Sequence, residues 1–390
     1  MDISENGNAP RLPQKKRRQL KGLAVATAFT MAVTGIAAIQ TAYAHTDGQS
    51  VEKIEVTFVL DTTGSMGPLI DGAKKKIWSI ANTIVDINPN ADIRMGLVGY
   101  RDYGDEYVIK NIQLTSDLQD MYSHLMKFRA AGGGDRPEAV NEALDSALNE
   151  IKWSDQQNAK RIVFLVGDAP PHMDYNGPKY PELVHQANKR DIVINAVQAG
   201  ARYDTRRVWQ RIAALGQGDY IPIPQNGGQV VIIETPFDDD IIILQRKIDE
   251  TVLPYGNDRI RSKVTRKLRE KAEMEASAAV ESSRYHSRKA KGDTVVSGAG
   301  DLVAEYSRSS RSVLALDDAK LPEQLKGKNA IERKAYLDKR LDVRRQLQKQ
   351  LAELVSKRDG YLEKEKARSA VAAAPSFDSE VKRSLTKILK

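Results

Sequence analysis

Residues 54–67 read Ile54-Glu-Val-Thr-Phe-Val-Leu60 and then Asp61-Thr62-Thr63-Gly64-Ser65-Met66-Gly67. A short apolar run rich in β-branched and aromatic residues, closed by a Thr/Gly/Ser turn, predicts a buried strand. An acid followed by hydroxyls two and four residues later, in the turn leaving such a strand, can aim one carboxylate and two hydroxyl oxygens at a single point. Taken alone, the same turn is also an ordinary helix N-cap.

Working outward, similar strand patterns occur at Ile93–Gly99, Arg161–Val166, Ile192–Val197 and Val230–Ile233. Between them, Ala73–Val85, Leu118–Phe128, Glu138–Ile151, Pro181–Lys189 and Arg206–Leu215 carry apolar residues at three- and four-residue spacing, which predicts helices. Strands alternating with helices imply parallel pairing through right-handed crossovers. The expected fold is therefore α/β, with a doubly wound, mostly parallel sheet. Such sheets place ligands beyond the carboxyl ends of their strands. Two more segments should reach that edge: Gly132-Gly-Gly-Asp135-Arg-Pro-Glu138-Ala and Phe164-Leu-Val-Gly-Asp168-Ala-Pro-Pro-His172.

After Pro254-Tyr-Gly256 the alternation stops. One helix is expected from Arg259 to about Arg284, a glycine-rich break at Gly292 to Gly300, and a longer helix from Ala330 to about Arg368. Arg340, Arg344 and Arg358 interrupt its heptads, so a helical hairpin or packing helix is expected ahead of a long coiled coil. Ala372–Pro375 reads as a linker before a short basic end. The charge divides at the same place. Residues 45–256 carry 22 basic and 30 acidic side chains, and residues 257–390 carry 32 and 20, so an acidic body precedes a basic helical C-terminal region. Such a tail reads first as a solvated helical face, with an anionic envelope surface, an acidic partner or the protein's own acidic body as the alternatives. Its sparse aromatics argue against nucleic acid.

The chain has no cysteine, which excludes disulfides, thiolate metal sites and a thiol nucleophile. Any metal must sit on oxygen or imidazole. At the N-terminus, Lys15, Lys16, Arg17, Arg18 and Lys21 precede the uncharged stretch Gly22–Ala44, and Ala42-Tyr43-Ala44 places small residues before His45. This is the pattern of a secretory signal peptide over residues 1–44, with an uncleaved membrane anchor as the alternative. Arg17-Arg18 is a weak match to a twin-arginine signal. The protein is accordingly expected to be exported from a bacterial cytoplasm and to be periplasmic or secreted, unless the leader anchors it in the inner membrane.

Residues 51–250 resemble the von Willebrand factor type A domain family, with its metal-ion-dependent adhesion site. The family's aspartate-x-serine-x-serine motif matches Asp61, Thr63 and Ser65, with threonine keeping the middle hydroxyl. The second loop, usually a threonine after paired glycines, here offers Asp135 and Glu138, an arrangement similar to the acidic loop of integrin β-type domains. The last aspartate matches Asp168. The resemblance implies a divalent cation, magnesium or else manganese or calcium, held by Asp61, Thr63, Ser65 and Asp168 with Asp135 or Glu138, and a protein partner whose carboxylate completes the coordination. It implies binding rather than catalysis. Asp102 and Asp105 follow another strand end and read either as supporting residues or as plain loop acids. The histidines at 45, 124, 172, 185 and 286 show no zinc-helix or triad spacing. A-type domains also accompany some atypical kinases, but no kinase signature follows here.

Overall fold

In a computed structural model of the protein, the described residues are 51–134, 136–228, 232–289, 293–368 and 376–390. The leader and the Ala372–Pro375 segment lie outside them.

The sheet has six strands: β1 (Lys53–Asp61), β2 (Asp92–Tyr100), β3 (Ile109–Thr115), β4 (Lys160–Gly167), β5 (Ile192–Ala199) and β6 (Gln217–Ile223), in the order β3-β2-β1-β4-β5-β6. All neighbours are parallel except β2 and β3. The strand order reverses between β1 and β4, which pair in register from Ile54 opposite Lys160 to Leu60 opposite Val166. That junction opens a crevice at the carboxyl edge. Asp61 ends β1 and Asp168 follows β4, so both border it.

Two expectations change. The sixth strand is β6 rather than Val230–Ile233. Of the latter segment, residues 230 and 231 lie outside the described set and 232–233 are irregular. The sequence of β6, QGDYIPI, carries no strand periodicity because it is broken by Gly218 and Pro222, as an edge strand tolerates. β3, with sequence IKNIQLT, is the half-exposed antiparallel edge, where polar residues replace a continuous apolar run.

One face of the sheet packs on α1 (Gly67–Ile87) and α2 (Leu118–Leu125). The other packs on α3 (Val140–Asp145, extended by a π turn to Glu150), α4 (Tyr180–Asn188) and α5 (Tyr203–Leu215). The body ends in α6 (Asp238–Asp249), and the C-terminal region contributes α7 (Asp258–Ala272), α8 (Ala276–Lys289), α9 (Leu302–Arg308), α10 (Ser310–Leu314), α11 (Ala330–Arg368) and α12 (Phe377–Leu389). The single helix expected from Arg259 to Arg284 is two, broken at Glu273–Glu275. There Met274 turns inward onto the sheet-face core, and the bend lets α7 meet α2 while α8 meets α1.

The tail therefore covers the acidic body. Ala278, Tyr285, Phe377, Val381 and Leu385 lie in the same apolar cluster as Phe58, Trp78 and Phe164. Tail cations meet acids of the body: Arg266 pairs with Asp120 at 2.8 Å, Arg284 with Asp86 at 3.1 Å and Lys387 with Asp219 at 2.6 Å, and the buried Lys267 pairs with Asp117.

Two of the three arginines that break the heptads of α11, Arg344 and Arg358, are buried in ion pairs. Arg344 is fully buried and donates to both oxygens of Asp301, at 2.7 and 3.2 Å, and to Thr251 Oγ1 at 2.7 Å. Arg358 pairs with Asp238 at 2.8 Å. Asp301→Ala would leave the Arg344 charge buried and unpaired, so a loss of about 3–5 kcal/mol is predicted in urea unfolding. A loss below about 1 kcal/mol would count against a dry pair.

His286 on α8 packs its ring 5.4 Å from that of Trp78. Its Nδ1 lies 2.7 Å from the Ser282 carbonyl, and its buried Nε2 has no partner. Burial, with Lys271 and Lys267 nearby, pushes its pKa down to about 3. The unfolded chain then takes up a proton near pH 6.5 that the folded chain refuses until about pH 3. This group's contribution is thus complete above pH 6.5 and is lost as pH falls, by up to about 4–5 kcal/mol across the window. The predicted check is a flatter dependence of the melting temperature on pH between 6.5 and 4 in His286→Phe than in the wild type.

Candidate functional site

At the end of β1 the alternation of the chain sorts the turn residues. Thr62 turns its hydroxyl to the Tyr100 carbonyl at 2.8 Å, away from the crevice. Asp61 Oδ1 accepts from the Thr63 amide at 2.9 Å and from Thr63 Oγ1 at 2.6 Å, and Thr63 Oγ1 stands 3.4 Å from Ser65 Oγ. The carboxylate and both hydroxyls of the motif thus gather at the start of α1. The other oxygen, Asp61 Oδ2, is buried and has no hydrogen-bond partner.

Glu138 follows the glycine loop and is held by backbone bonds, its amide to the Pro170 carbonyl at 3.0 Å and its carbonyl to the His172 amide at 3.2 Å. Its side chain is 3% exposed and Oε2 has no partner. Gly133, at φ 75°, lets the loop pass. A methyl group there would stand 2.8 Å from Thr63 Cβ and 3.1 Å from Glu138 Oε1, which places the loop directly over both side chains. Asp168 Oδ2 accepts from Gln225 Nε2 at 2.6 Å. Its carbonyl accepts from Arg136 Nη2 and from Thr205 Oγ1, each at 2.9 Å. The fold brings Asp61, Thr63, Ser65, Glu138 and Asp168 to one edge, while Asp135 lies outside the described residues.

The electrostatics bear the mark of that assembly. Burial, and then the charge of Asp168, pushes Asp61 up to about 7 despite the two bonds from Thr63. Burial, and then the charges of Asp61, Asp102 and Asp168, pushes Glu138 up to about 9. Carboxylates this poorly compensated require protons or a cation. Among the described residues, no three acidic or histidine side chains stand close enough to hold a metal ion by themselves. Hydroxyls and water would have to complete the set, as magnesium accepts readily. The orphaned Asp61 Oδ2 and Glu138 Oε2 beside the Thr63 and Ser65 hydroxyls fit such a cation.

Several neighbours were not legible beforehand. Gln225, on the loop after β6, Arg136 and Thr205 all brace Asp168, and nothing in their local spacing marks them. Asp105, which the sequence offered as either a supporting residue or a loop acid, braces the glycine loop by accepting from the Gly133 amide at 3.1 Å. Asp102, 3% exposed, faces His172 Nε2 at 3.2 Å, and the His172 ring stacks on Tyr175 at 3.8 Å.

Residues 55–235 match the family model described as von Willebrand factor A domain. This segment is a von Willebrand factor A domain. The chain is 31% identical over 145 residues to a putative ariadne-like RING finger protein, R811, of Acanthamoeba polyphaga mimivirus, which covers 37% of this chain and 12% of that protein. It is 30% identical over 125 residues to the alpha-protein kinase vwkA of Dictyostelium discoideum, covering 31% and 19%. It is 29% identical over 188 residues to von Willebrand factor A domain-containing protein 7 of Mus musculus, covering 48% and 20%. The chain thus spans no more than a fifth of these relatives' length. Among solved structures, the SpRpn10 VWA domain is similar at 14% identity and a TM-score of 0.35, over 45% of this chain and 89% of that one. A domains commonly mediate protein–protein interaction.

Proposed function

We propose that the A domain holds a divalent cation, magnesium or else manganese or calcium, through Asp61, Thr63 and Ser65, with Asp168 and Glu138 supplying charge from the neighbouring loops, and that it uses the ion to bind a carboxylate of a protein partner. The observation that carries this reading is the pair of buried, partnerless carboxylate oxygens, Asp61 Oδ2 and Glu138 Oε2, beside two gathered hydroxyls. A bound cation would supply an electrophilic point for an incoming carboxylate oxygen. The chain's own residues do the rest. Thr63 orients Asp61, Gln225 orients Asp168, and Asp105 fixes the glycine loop over Thr63 and Glu138.

A binding module is favoured over an enzyme because, among the described residues, the Thr63 and Ser65 hydroxyls are gathered with Asp61 as a set of oxygen ligands and no imidazole is hydrogen-bonded to them. His172, the near imidazole, is already engaged by Asp102 and stacked on Tyr175. The leader motif supports export to a periplasm or beyond. The tail's pairing with Asp86, Asp117, Asp120 and Asp219 favours the protein's own body, over an anionic envelope surface, as the tail's counter-charge.

The test is capture of an envelope partner on the immobilised full chain. Retention in magnesium, release by EDTA and loss in Asp61→Ala are predicted. Retention that survives EDTA would contradict the reading.

A further inference from the structure

We propose that the exposed face of α5 is a cationic ridge that recognises an acidic, extended segment of the partner, the segment whose carboxylate reaches the cation; this rests on the function proposed above. Thr205 Oγ1 donates to the Asp168 carbonyl, and Arg136 Nη2 donates both to that carbonyl and to Thr205 Oγ1, each at 2.9 Å. These bonds fix the first turn of α5 against the strand end that carries Asp168.

The helix buries Thr205, Trp209, Ile212 and Ala213, and turns Arg202, Tyr203, Arg206, Arg207 and Arg211 outward. Tyr203 is 69% exposed, and the Arg207 guanidinium lies 6.0 Å from its ring centroid. The one acid in this stretch, Asp204, lies 3.7 Å from Arg136 and 3.8 Å from Arg202. Among the described residues, Arg206, Arg207 and Arg211 form no ion pair, whereas the cations of α7 and α8 that face the body are paired with its acids.

A merely solvated face would be arranged differently. Cations in the first turns of a helix oppose its dipole, and like charges four residues apart repel. The sequence keeps Arg202 and Arg206, and then Arg207 and Arg211, at that unfavourable spacing. Along a helix, four residues rise about 6 Å, close to the two-residue repeat of an extended chain, about 6.6 Å. Carboxylates on alternate residues of an extended segment would therefore meet successive guanidiniums, which accept carboxylates in two-point contacts. The continuity of the ridge with the Asp168 strand end lets one such segment serve both sites.

The experiment uses the full chain and two fluorescein-labelled peptides, a decapeptide of alternating Glu and Gly, and its counterpart in which all but one Glu is Gln. In magnesium the alternating acidic peptide is expected to bind at least ten-fold tighter. Arg206→Glu/Arg207→Glu/Arg211→Glu should abolish that preference while leaving calorimetric magnesium affinity unchanged, and the corresponding triple Gln variant should reduce it part-way. EDTA should abolish binding of both peptides. A preference that persists in the triple Glu variant, or no preference in the wild type, overturns the ridge. Binding that depends on the arginines yet survives EDTA keeps the ridge and overturns the metal reading. Phosphatidylglycerol vesicles that displace the peptide in an arginine-dependent manner would make the ridge a lipid site and overturn the peptide assignment.

Discussion

A chain lacking residues 376–390 is expected to lose the fold of its A domain, although that deletion lies 141 residues or more beyond the family match, which ends at residue 235. Phe377, Val381 and Leu385 are buried against the sheet face, and the Phe377 ring lies 6.4 Å from that of Phe58 on β1. Each such side chain contributes about 1.5–3 kcal/mol of burial, so removing α12 costs about 5–9 kcal/mol. That is comparable with the whole stability of an ordinary domain, about 5–15 kcal/mol. The buried Ser384 Oγ also donates to Asn195 Oδ1 at 2.9 Å, and that acceptor would be left exposed to a vacated groove. Fragment 51–256 should fare worse, since it also loses Tyr285 from beside Trp78. Urea unfolding and near-ultraviolet circular dichroism test this. In the full chain, Leu385→Asp should reproduce most of the loss. A fragment 51–256 that unfolds cooperatively at the full chain's midpoint would contradict it.

The second large effect is a reversal. In EDTA, Asp61→Asn should be more stable than the wild type by about 1–3 kcal/mol, because it removes a buried charge whose Oδ2 has no partner while its Oδ1 still accepts from Thr63. In magnesium at about a thousand times its dissociation constant, the wild type should gain about 4.1 kcal/mol and the variant little, so the order inverts. A purely structural Asp61 would make the variant less stable in both conditions.

The central strands and the motif at the end of β1 were legible because burial on both faces writes a continuous apolar run and because the turn keeps its polar residues within five positions. The edge strands were not, since half-exposed pairing leaves a mixed pattern that periodicity cannot separate from loop. The break between α7 and α8 was hidden in a run of good helix formers, where only the inward turn of Met274 explains it. Of the candidate site, Asp61, Thr63, Ser65 and Asp168 could be read from local spacing. Asp105 was marked by its place after a strand end as either a supporting residue or a loop acid, whereas the braces Gln225, Arg136 and Thr205 could not be read, because no local spacing ties them to Asp168 and only the fold brings them together. The tail's charge was legible as a number, but its destination was not. The acids it pairs with lie more than a hundred residues away, at Asp86, Asp117, Asp120 and Asp219.

Calorimetric titration of magnesium into the full chain and into Asp61→Ala tests the central claim most directly. Saturable binding at a single site in the wild type, lost in the variant while its circular dichroism is unchanged, is the predicted result. Equal affinity in the two proteins would contradict it.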